Sequence, residues 1–447
     1  MSSPSSEGDM PSSANPRGPR FRQNRGPQGV GLTRRAVLSG AALLGIGAGV
    51  DRAVTSASAQ SAAAAAAPDT VPFHGPHQAG IATPQQRHLH FAAFDLTTTS
   101  ASSLRDLLRL WSQAAATLTT GREYAPTPQT PLRAPTDPGE AAGLAPAQLT
   151  LTFGLGPTLF VSGGRDRFGL AHRRPAGLAP LPPFPGEALD PRRSGGDLCV
   201  QACADDPQVA FHAIHVLSRL AAGNAVMRWS QTGFRSPPGP ADAQQTPRNL
   251  IGFKDGTDNI RPGDADAMRQ FVWVQDGDQP TWMHGGSYLV ARRIEIVLST
   301  WDALPLVQQE RVIGRDKATG APLGGRHEHD PVDLNATDQH GNPVIPGNAH
   351  IRVAAPARNG GRRILRRGYA FSEGTTPAAI QAGTGGVDGG LFFIAFTRDP
   401  GRQFIPLQRR VAMTDALTAF TVHTASAVFA CPPGAAPGGF IGQSLLA

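Results

Sequence analysis

The pattern of apolar positions in the first half of the chain predicts an α+β unit. His88 to Leu96 alternates between apolar and polar residues, as in a half-buried strand. Residues 104–111 place three leucines and Trp111 at helical spacing. Two further strands and a second amphipathic helix follow at Leu149–Phe153, Leu198–Cys203 and Val209–Leu220. Strand, helix, strand, then strand, helix, strand is the order of a ferredoxin-like unit.

The second half repeats this order without clear sequence identity to the first. Predicted strands lie at Gly286–Val290 with Ile294, and at Leu391–Phe396. Predicted helical segments lie at Trp301–Gly314, Arg402–Val411 and Asp415–Phe420. A Pro- and Gln-rich linker near residues 236–246 separates the halves, and a long irregular stretch occupies residues 316–347. We therefore expect two ferredoxin-like domains, at residues 77–250 and 251–435, with antiparallel sheets, packed helices and a tail at 436–447.

The N-terminal residues have the features of an export signal. The first thirty-odd residues are rich in Ser, Pro and Arg and are expected to be disordered. Arg34-Arg35 precedes an apolar run through Val50 that four glycines interrupt, which is too weak for a stable membrane span. Ala57-Ser58-Ala59 offers small residues for cleavage. We predict a twin-arginine signal peptide at 1–59, a flexible linker at 60–76, and a periplasmic or extracellular destination. The alternative is a chance arginine pair before an alanine-rich helix.

The charge and the cysteines exclude two other classes of protein. The net charge is +7, but residues 1–59 hold seven arginines and three acids, so the leader carries +4 and the remainder only +3. Because no basic block with interleaved aromatics occurs outside the leader, nucleic-acid binding is not expected. Three cysteines make no disulfide framework. Cys199 and Cys203, four apart in a strand, lie too far from each other to bridge and are interpreted as small core residues.

Several histidine pairs have spacings that metal sites use. His88 and His90 fall on one face of a strand, and His212 and His215 lie three apart on a helix. His327 and His329 flank Glu328 in the irregular stretch, near further carboxylates. Zinc accepts such ligands, but strand, helix or solvated-loop roles are the more ordinary interpretation of each pair.

Three later segments carry the candidate chemistry. The first is Gly252–Asn259, reading GFKDGTDN; the second is Asn348–Phe371, with His350 and Arg366 sixteen residues apart; the third is Gly386–Phe393, reading GVDGGLFF. Taken alone, each segment has a purely structural interpretation. His350 is then a satisfied structural histidine, Asp255 a turn residue before glycine, and Asp388 a turn residue before a buried strand.

Together, in this order and at these separations, the three segments closely resemble the dye-decolorizing peroxidase family of haem proteins. More narrowly, they resemble its Tat-exported deferrochelatase/peroxidase branch. The resemblance covers roughly residues 75–435, and its most specific motif is Gly-Phe-Lys-Asp-Gly-Thr at 252–257. It implies one haem b per chain, bound in the C-terminal half, and it supports duplication of the ferredoxin-like unit.

The resemblance also implies roles for individual residues. His350 is expected to be the axial ligand of the haem iron, with Asp388 accepting a hydrogen bond from its other ring nitrogen. Asp255 is expected to move a proton between the two peroxide oxygens, and Arg366 to stabilise the negative charge that develops. Arg352 is expected to share a strand face with His350 and pair with a propionate, while Leu391 and Phe393 wall the haem. Several relatives have asparagine two residues after the distal arginine, where this chain has Gly368.

Two catalytic functions and one non-catalytic function are compatible with these residues. The first is a haem peroxidase that reduces hydrogen peroxide and oxidises bulky aromatic or dye-like substrates by one-electron steps. The second is a deferrochelatase that releases iron from haem with the porphyrin intact. The third is a haem-binding or delivery protein. Expected partners are hydrogen peroxide, an aromatic reductant or haem, the twin-arginine machinery, an iron-uptake transporter and a second copy of the chain.

Overall fold

Most of the strands and helices that the hydrophobic pattern predicts are present, but the strands at Ala225–Phe234, Tyr369–Thr375 and Thr421–Cys431 were not predicted. The computed structural model describes residues 69–125, 130–236, 246–375 and 386–446, and the predicted signal peptide lies outside these ranges. The first half contains β1 (His88–Leu96), α1 (Ala101–Leu118), β2 (Thr150–Leu155), α2 (Pro157–Phe160), β3 (Leu198–Ala204), α3 (Pro207–Leu220) and β4 (Ala225–Phe234). The second half contains α4 (Ala265–Phe271), β5 (Ser287–Ile296), α5 (Leu298–Asp302), α6 (Leu306–Ile313), α7 (His350–Ala354), β6 (Leu365–Arg366), β7 (Tyr369–Thr375), β8 (Val387–Thr397), α8 (Phe404–Thr414), β9 (Thr421–Cys431) and α9 (Gln443–Leu446).

The strand order is that of a ferredoxin-like unit in each half. In the first half the order is β2-β3-β1-β4, and in the second it is β9-β5-β8-β7, with every pair antiparallel. When the two-residue strand β6 is left out and the first half is read from β4, numbering the strands of each half in chain order gives 4-1-3-2 in both halves. The predicted duplicated α+β fold is confirmed by this topology.

The two sets of strands join edge to edge. A single residue pair, Leu155 with Ala430, connects β2 to β9, and another, Phe234 with Ala370, connects β4 to β7. Eight strands therefore close into a ring whose interior is apolar. Phe91 from the first half packs there against Phe392 and Phe429 from the second, with ring centroids 5.3 and 6.1 Å apart. The three cysteines are buried and free, as expected of small core residues.

Helices cover the outer faces of the strands. On the first half, α1 and α3 pack over the sheet, and the indole of Trp111 donates a hydrogen bond to the Leu217 carbonyl at 2.9 Å. The helix α3 begins where Asp206 accepts hydrogen bonds from the backbone of Gln208 and Val209, with Pro207 at its first position. No helix in the four described ranges is long and apolar enough to span a bilayer.

Two sequence-based expectations for the second half are wrong. The single helix expected at Trp301–Gly314 is two helices, α5 and α6, that break around Pro305. Proline disfavours the helical conformation in the residue before it and lacks the amide that the helix would need. The segment that begins at His350 was expected to be a strand and is the short helix α7.

Candidate functional site

His350 is held by a carboxylate that the sequence motifs do not contain. Its Nδ1 lies 2.6 Å from Oδ2 of Asp415, whose side chain has no exposed surface. The other oxygen of Asp415 accepts a hydrogen bond from the Leu417 amide at 2.9 Å, so the carboxylate is fixed. The amide of Ala416 donates to the Asn348 carbonyl, which ties the two segments together. With Nδ1 engaged in this way, Nε2 is the ring nitrogen that remains for a ligand.

The surroundings of His350 are electrostatically consistent with a ligand site. Burial by itself lowers the pKa of His350, but the charge and hydrogen bond of Asp415 outweigh burial, so the pKa is raised. Arg366 and Asp255 also lie close enough to act on this pKa, the first lowering it and the second raising it. About a third of the His350 side chain, 34%, is nevertheless exposed. The imidazole is therefore partly accessible, while protein covers most of its surface.

Asp388 is not the partner of His350, and this expectation is corrected. Its carboxylate lies 2.6 Å from the guanidinium of Arg293, which is buried at the end of the ring of strands. Successive residues of a strand point to opposite faces, so Asp388 shares the inward face of β8 with Phe392 and not the outward face of Leu391 and Phe393. One strand cannot bring both Asp388 and those two residues to one haem.

Arg352 does not share a face with His350, and this expectation is also corrected. Both residues lie on the helix α7, where positions two apart point about 200° apart. Arg352 is buried, and its Nε donates to the Ile345 carbonyl at 2.9 Å. Its guanidinium therefore supports the segment before α7 instead of sharing the exposed side of His350.

Asp255 and Arg366 meet as predicted from their motifs. The Asp255 Oδ1 and Arg366 Nη1 atoms are 3.6 Å apart, and each side chain is 31% exposed. Asp255 projects from a tight loop whose flanking glycines, Gly252 and Gly256, have φ of +83° and +131°. The amide of Asp255 donates to the Pro247 carbonyl at 2.8 Å. The conformation of this loop, which is neither helix nor strand, therefore determines where the Asp255 carboxylate lies.

Asn259 positions Arg366, and sequence reasoning assigned it no role. Its Oδ1 accepts from the Arg366 amide at 3.0 Å, and its Nδ2 donates to the Arg366 carbonyl at 2.8 Å. The Arg366 guanidinium also donates to the Thr257 carbonyl at 2.9 Å. Asn259 ends the GFKDGTDN segment, so the motif that supplies Asp255 also binds the residue that supplies the guanidinium.

The outward face of β8 supplies an apolar wall beside Arg366. Arg366 pairs with Ala395 across β6 and β8, and paired residues of antiparallel strands share a face. Leu391 and Phe393 lie on that face and are only partly buried, whereas the inward residues Phe392 and Ile394 are fully buried. The two residues predicted to wall a haem therefore border accessible space.

These residues fit a haem on their own chemistry. A histidine with Nδ1 held by a carboxylate and Nε2 left for the metal is the usual protein ligand of peroxidase iron. The acid and the guanidinium, Asp255 and Arg366, lie close enough to act on this histidine, and the half-buried Leu391 and Phe393 lie on the strand face that Arg366 shares. Among the described residues, His350, Asp255, Arg366, Leu391 and Phe393 are the group that would surround the cofactor.

The other histidine pairs form ordinary structural contacts. His212 Nδ1 lies 2.7 Å from Glu140, and His215 Nδ1 bonds the other oxygen of the same carboxylate. Asp137, Glu140 and His212 also offer ligand atoms within 4.8 Å of one another, but the imidazoles already satisfy these carboxylates. His90 stacks against Phe211, and burial lowers the pKa of His90 to about 4.

Comparison with known proteins identifies two matching family domains. The description Dyp-type peroxidase, N-terminal, matches residues 78–235, and Dyp-type peroxidase, C-terminal, matches residues 246–436. A dye-decolorizing peroxidase of Thermobifida fusca is 40% identical over 399 residues, covering 87% of this chain and 86% of that protein. A deferrochelatase of Escherichia coli O6:K15:H31 is 37% identical over 424 residues, covering 93% and 97%. The solved oxyferrous/water mixed complex of DtpA from Streptomyces lividans is 42% identical, with a TM-score of 0.77 and coverage of 85% and 98%.

Replacing Asp415 is expected to weaken haem binding, whereas replacing Asp388 is not. We expect Asp415→Ala to bind haem roughly 10- to 100-fold more weakly, because His350 loses the partner that orients it and raises its basicity. Asp388→Ala should keep the affinity of the parent chain, because Asp388 contacts Arg293 on the other face of β8. Titration of the haem-free proteins with haem, followed by absorption, measures both. The reverse order of affinities would restore Asp388 as the partner.

Proposed function

The chain belongs to the Dyp-type peroxidase family, and from this premise we propose how its haem-dependent peroxidase activity is divided among its residues. His350 would hold the haem iron through Nε2, with Asp415 fixing the ring. Asp255 and Arg366 would act on hydrogen peroxide, and Leu391 and Phe393 would contact the porphyrin. The loose Asp255–Arg366 pair, 3.6 Å apart and a third exposed, is the observation that carries the proposal.

The acid and the guanidinium have complementary tasks. Haem, when bound, supplies the redox centre that reduces hydrogen peroxide to water and passes oxidising equivalents to a reductant. Asp255 would accept the proton of one peroxide oxygen and deliver it to the other, which leaves as water. Arg366 would stabilise the negative charge on the departing oxygen.

The reductant we propose is a bulky aromatic or dye-like molecule oxidised in one-electron steps. The name of the Thermobifida fusca relative supports this substrate class. A molecule too large to approach the iron would give up its electrons near the edge of the site. Twin-arginine export to the periplasm or extracellular space belongs to the same proposal and is supported by Arg34-Arg35 ahead of an apolar run.

A second candidate function is deferrochelatase activity, the release of iron from haem with the porphyrin intact. Its support is the Escherichia coli relative of that name, which matches nearly the whole chain. In that case haem is the substrate, and an iron-uptake transporter is the proposed partner. The same His350, Asp255 and Arg366 would surround the substrate, so the residues serve either function.

Removing either distal side chain should slow the reaction with peroxide while haem is kept. We expect Asp255→Ala and Arg366→Leu each to lower the second-order rate constant roughly 100-fold or more, because proton transfer or charge stabilisation is lost. Stopped-flow absorption of the haem-loaded proteins measures this rate.

Matched substitutions outside the site serve as controls for those rates. Arg358 is exposed in the segment between His350 and Arg366, and Asp276 has a fully exposed carboxylate, so Arg358→Leu and Asp276→Ala are the controls. Both should react like the parent chain. Unchanged rates in Asp255→Ala and Arg366→Leu would favour non-catalytic haem carriage, since carriage needs neither residue.

Iron release distinguishes the two catalytic candidates. Purified protein would be incubated anaerobically with haem and a ferrous-iron chelator, and metal-free porphyrin would be quantified by fluorescence. Deferrochelatase activity predicts porphyrin and chelated iron in equal amounts, both lost in His350→Ala. If no porphyrin forms while peroxide is consumed normally, the chain acts as a peroxidase alone.

A further inference from the structure

We propose that Glu328 is a positioning residue that holds the Asp255 loop and, through it, Arg366. Glu328 lies in the irregular stretch between α6 and α7, more than seventy residues from Asp255 in the chain. Its effect on peroxide chemistry rests on the function proposed above, but its structural effect does not.

The Glu328 carboxylate binds the loop on both sides of Asp255. Its Oε2 lies 2.5 Å from Lys254 Nζ, and its Oε1 accepts a hydrogen bond from Thr257 Oγ1 at 2.9 Å. Thr246, where the chain approaches the loop, also hydrogen-bonds this carboxylate. The three donors lie before and after Asp255 in the sequence. The single buried side chain of Glu328 therefore fixes the segment that carries Asp255.

The ion pair with Lys254 is enclosed by protein. The side chains of Glu328 and Lys254 are only 8% and 13% exposed. Burial alone would raise the pKa of Glu328, but the hydrogen bonds from Lys254, Thr246 and Thr257 outweigh it and the pKa is lowered. Removing one partner of a buried ion pair is strongly destabilising, because the other charge stays buried without compensation. A neutral residue in place of Glu328 would therefore leave the Lys254 ammonium unpaired, next to Asp255 in the chain.

Backbone contacts fix the other end of this connection. The Arg315 guanidinium donates to the carbonyls of Gly320 and Glu328, at 2.7 and 3.0 Å. Gly320 has φ of +79°, and a Cβ there would lie 2.6 Å from Cδ of Lys254. The aliphatic part of the Lys254 side chain therefore occupies space that a Cβ on residue 320 would need. The glycine at this position allows Lys254 to approach Glu328 from this side.

The connection continues to Arg366 through Thr257. The side chain of Thr257 binds Glu328, and its carbonyl accepts the Arg366 guanidinium at 2.9 Å. A shift of Thr257 would therefore move Arg366 as well as Asp255. A catalytic group misplaced by about 1 Å can lose roughly 100-fold in rate, so this connection determines activity through the position of both groups.

The alternative for this segment was a metal site made by His327, His329 and neighbouring acids. The two imidazoles are 83% and 57% exposed, whereas Glu328 between them points inward. His329 Nε2 is 4.0 Å from Glu328, too far for a hydrogen bond. The buried glutamate, rather than the flanking histidines, carries the structural contacts.

Hydrogen exchange of the haem-free protein tests the positioning role without relying on activity. Glu328→Gln should exchange the amides of residues 252–259 at least about 10-fold faster, because the loop opens locally, while β1 keeps its protection. His327→Ala, an adjacent exposed residue, is the control and should match the parent chain. Unchanged exchange at 252–259, or equal acceleration in β1, would overturn the proposal.

Peroxide kinetics test whether positioning matters for the chemistry. Haem-loaded Glu328→Gln should bind haem like the parent chain but react with peroxide roughly 10- to 100-fold more slowly. The double variant Lys254→Met with Glu328→Gln removes the unpaired charge, so it should regain stability to denaturant but not rate. Recovery of rate in the double variant would mean that Glu328 only neutralises Lys254. If the parent chain does not react with peroxide, the proposed function is refuted. The hydrogen-exchange result would still test the positioning role of Glu328 by itself.

Discussion

The hydrogen bond between His350 Nδ1 and the buried carboxylate of Asp415 is the contact on which the site depends. It fixes the ring, leaves Nε2 as the nitrogen available to a ligand and raises the pKa of the imidazole against the effect of burial. A carboxylate in this position makes a histidine ligand more electron-rich, which favours the oxidised states of a bound iron. The contact joins α7 to the chain that follows α8, sixty-five residues later. His350 is therefore oriented only where the chain that follows α8 packs against α7.

The groups proposed to act on peroxide are organised differently, by loops held from outside. Asn259 hydrogen-bonds the backbone of Arg366, and Glu328 binds residues on either side of Asp255. The acid and guanidinium remain loosely paired and partly exposed, whereas their supports are buried or fully bonded. This division leaves the reactive side chains available while their backbones stay fixed.

Periodicity predicted β1, β2, β3, β5 and β8, which follow an alternating or continuously apolar pattern, but it missed β4, β7 and β9. The duplicated strand order, the burial of Cys199 and the pairing of Asp255 with Arg366 were all predictable from residues and resemblance. Asp388 was misassigned because the motif placed it near Leu391 and Phe393, although an odd spacing on one strand puts them on opposite faces. That conflict was visible in the sequence.

Other features had no local signal in the sequence. Asp415 precedes a helical turn and has the pattern of a capping residue, and nothing near it indicates that it meets His350. The five-residue helix α7 is too short for apolar periodicity to distinguish from a strand, which also misplaced Arg352. Glu328 drew attention only through its histidine neighbours, and its contacts depend on a fold that joins distant loops.

A crystal structure of the haem-loaded protein tests the central claim most directly. The account predicts that iron is bonded to Nε2 of His350, that Asp415 still binds Nδ1, and that Asp255 and Arg366 face the opposite side of the porphyrin. Iron bonded to another side chain, or a porphyrin with Asp255 and Arg366 on the His350 side, would contradict it.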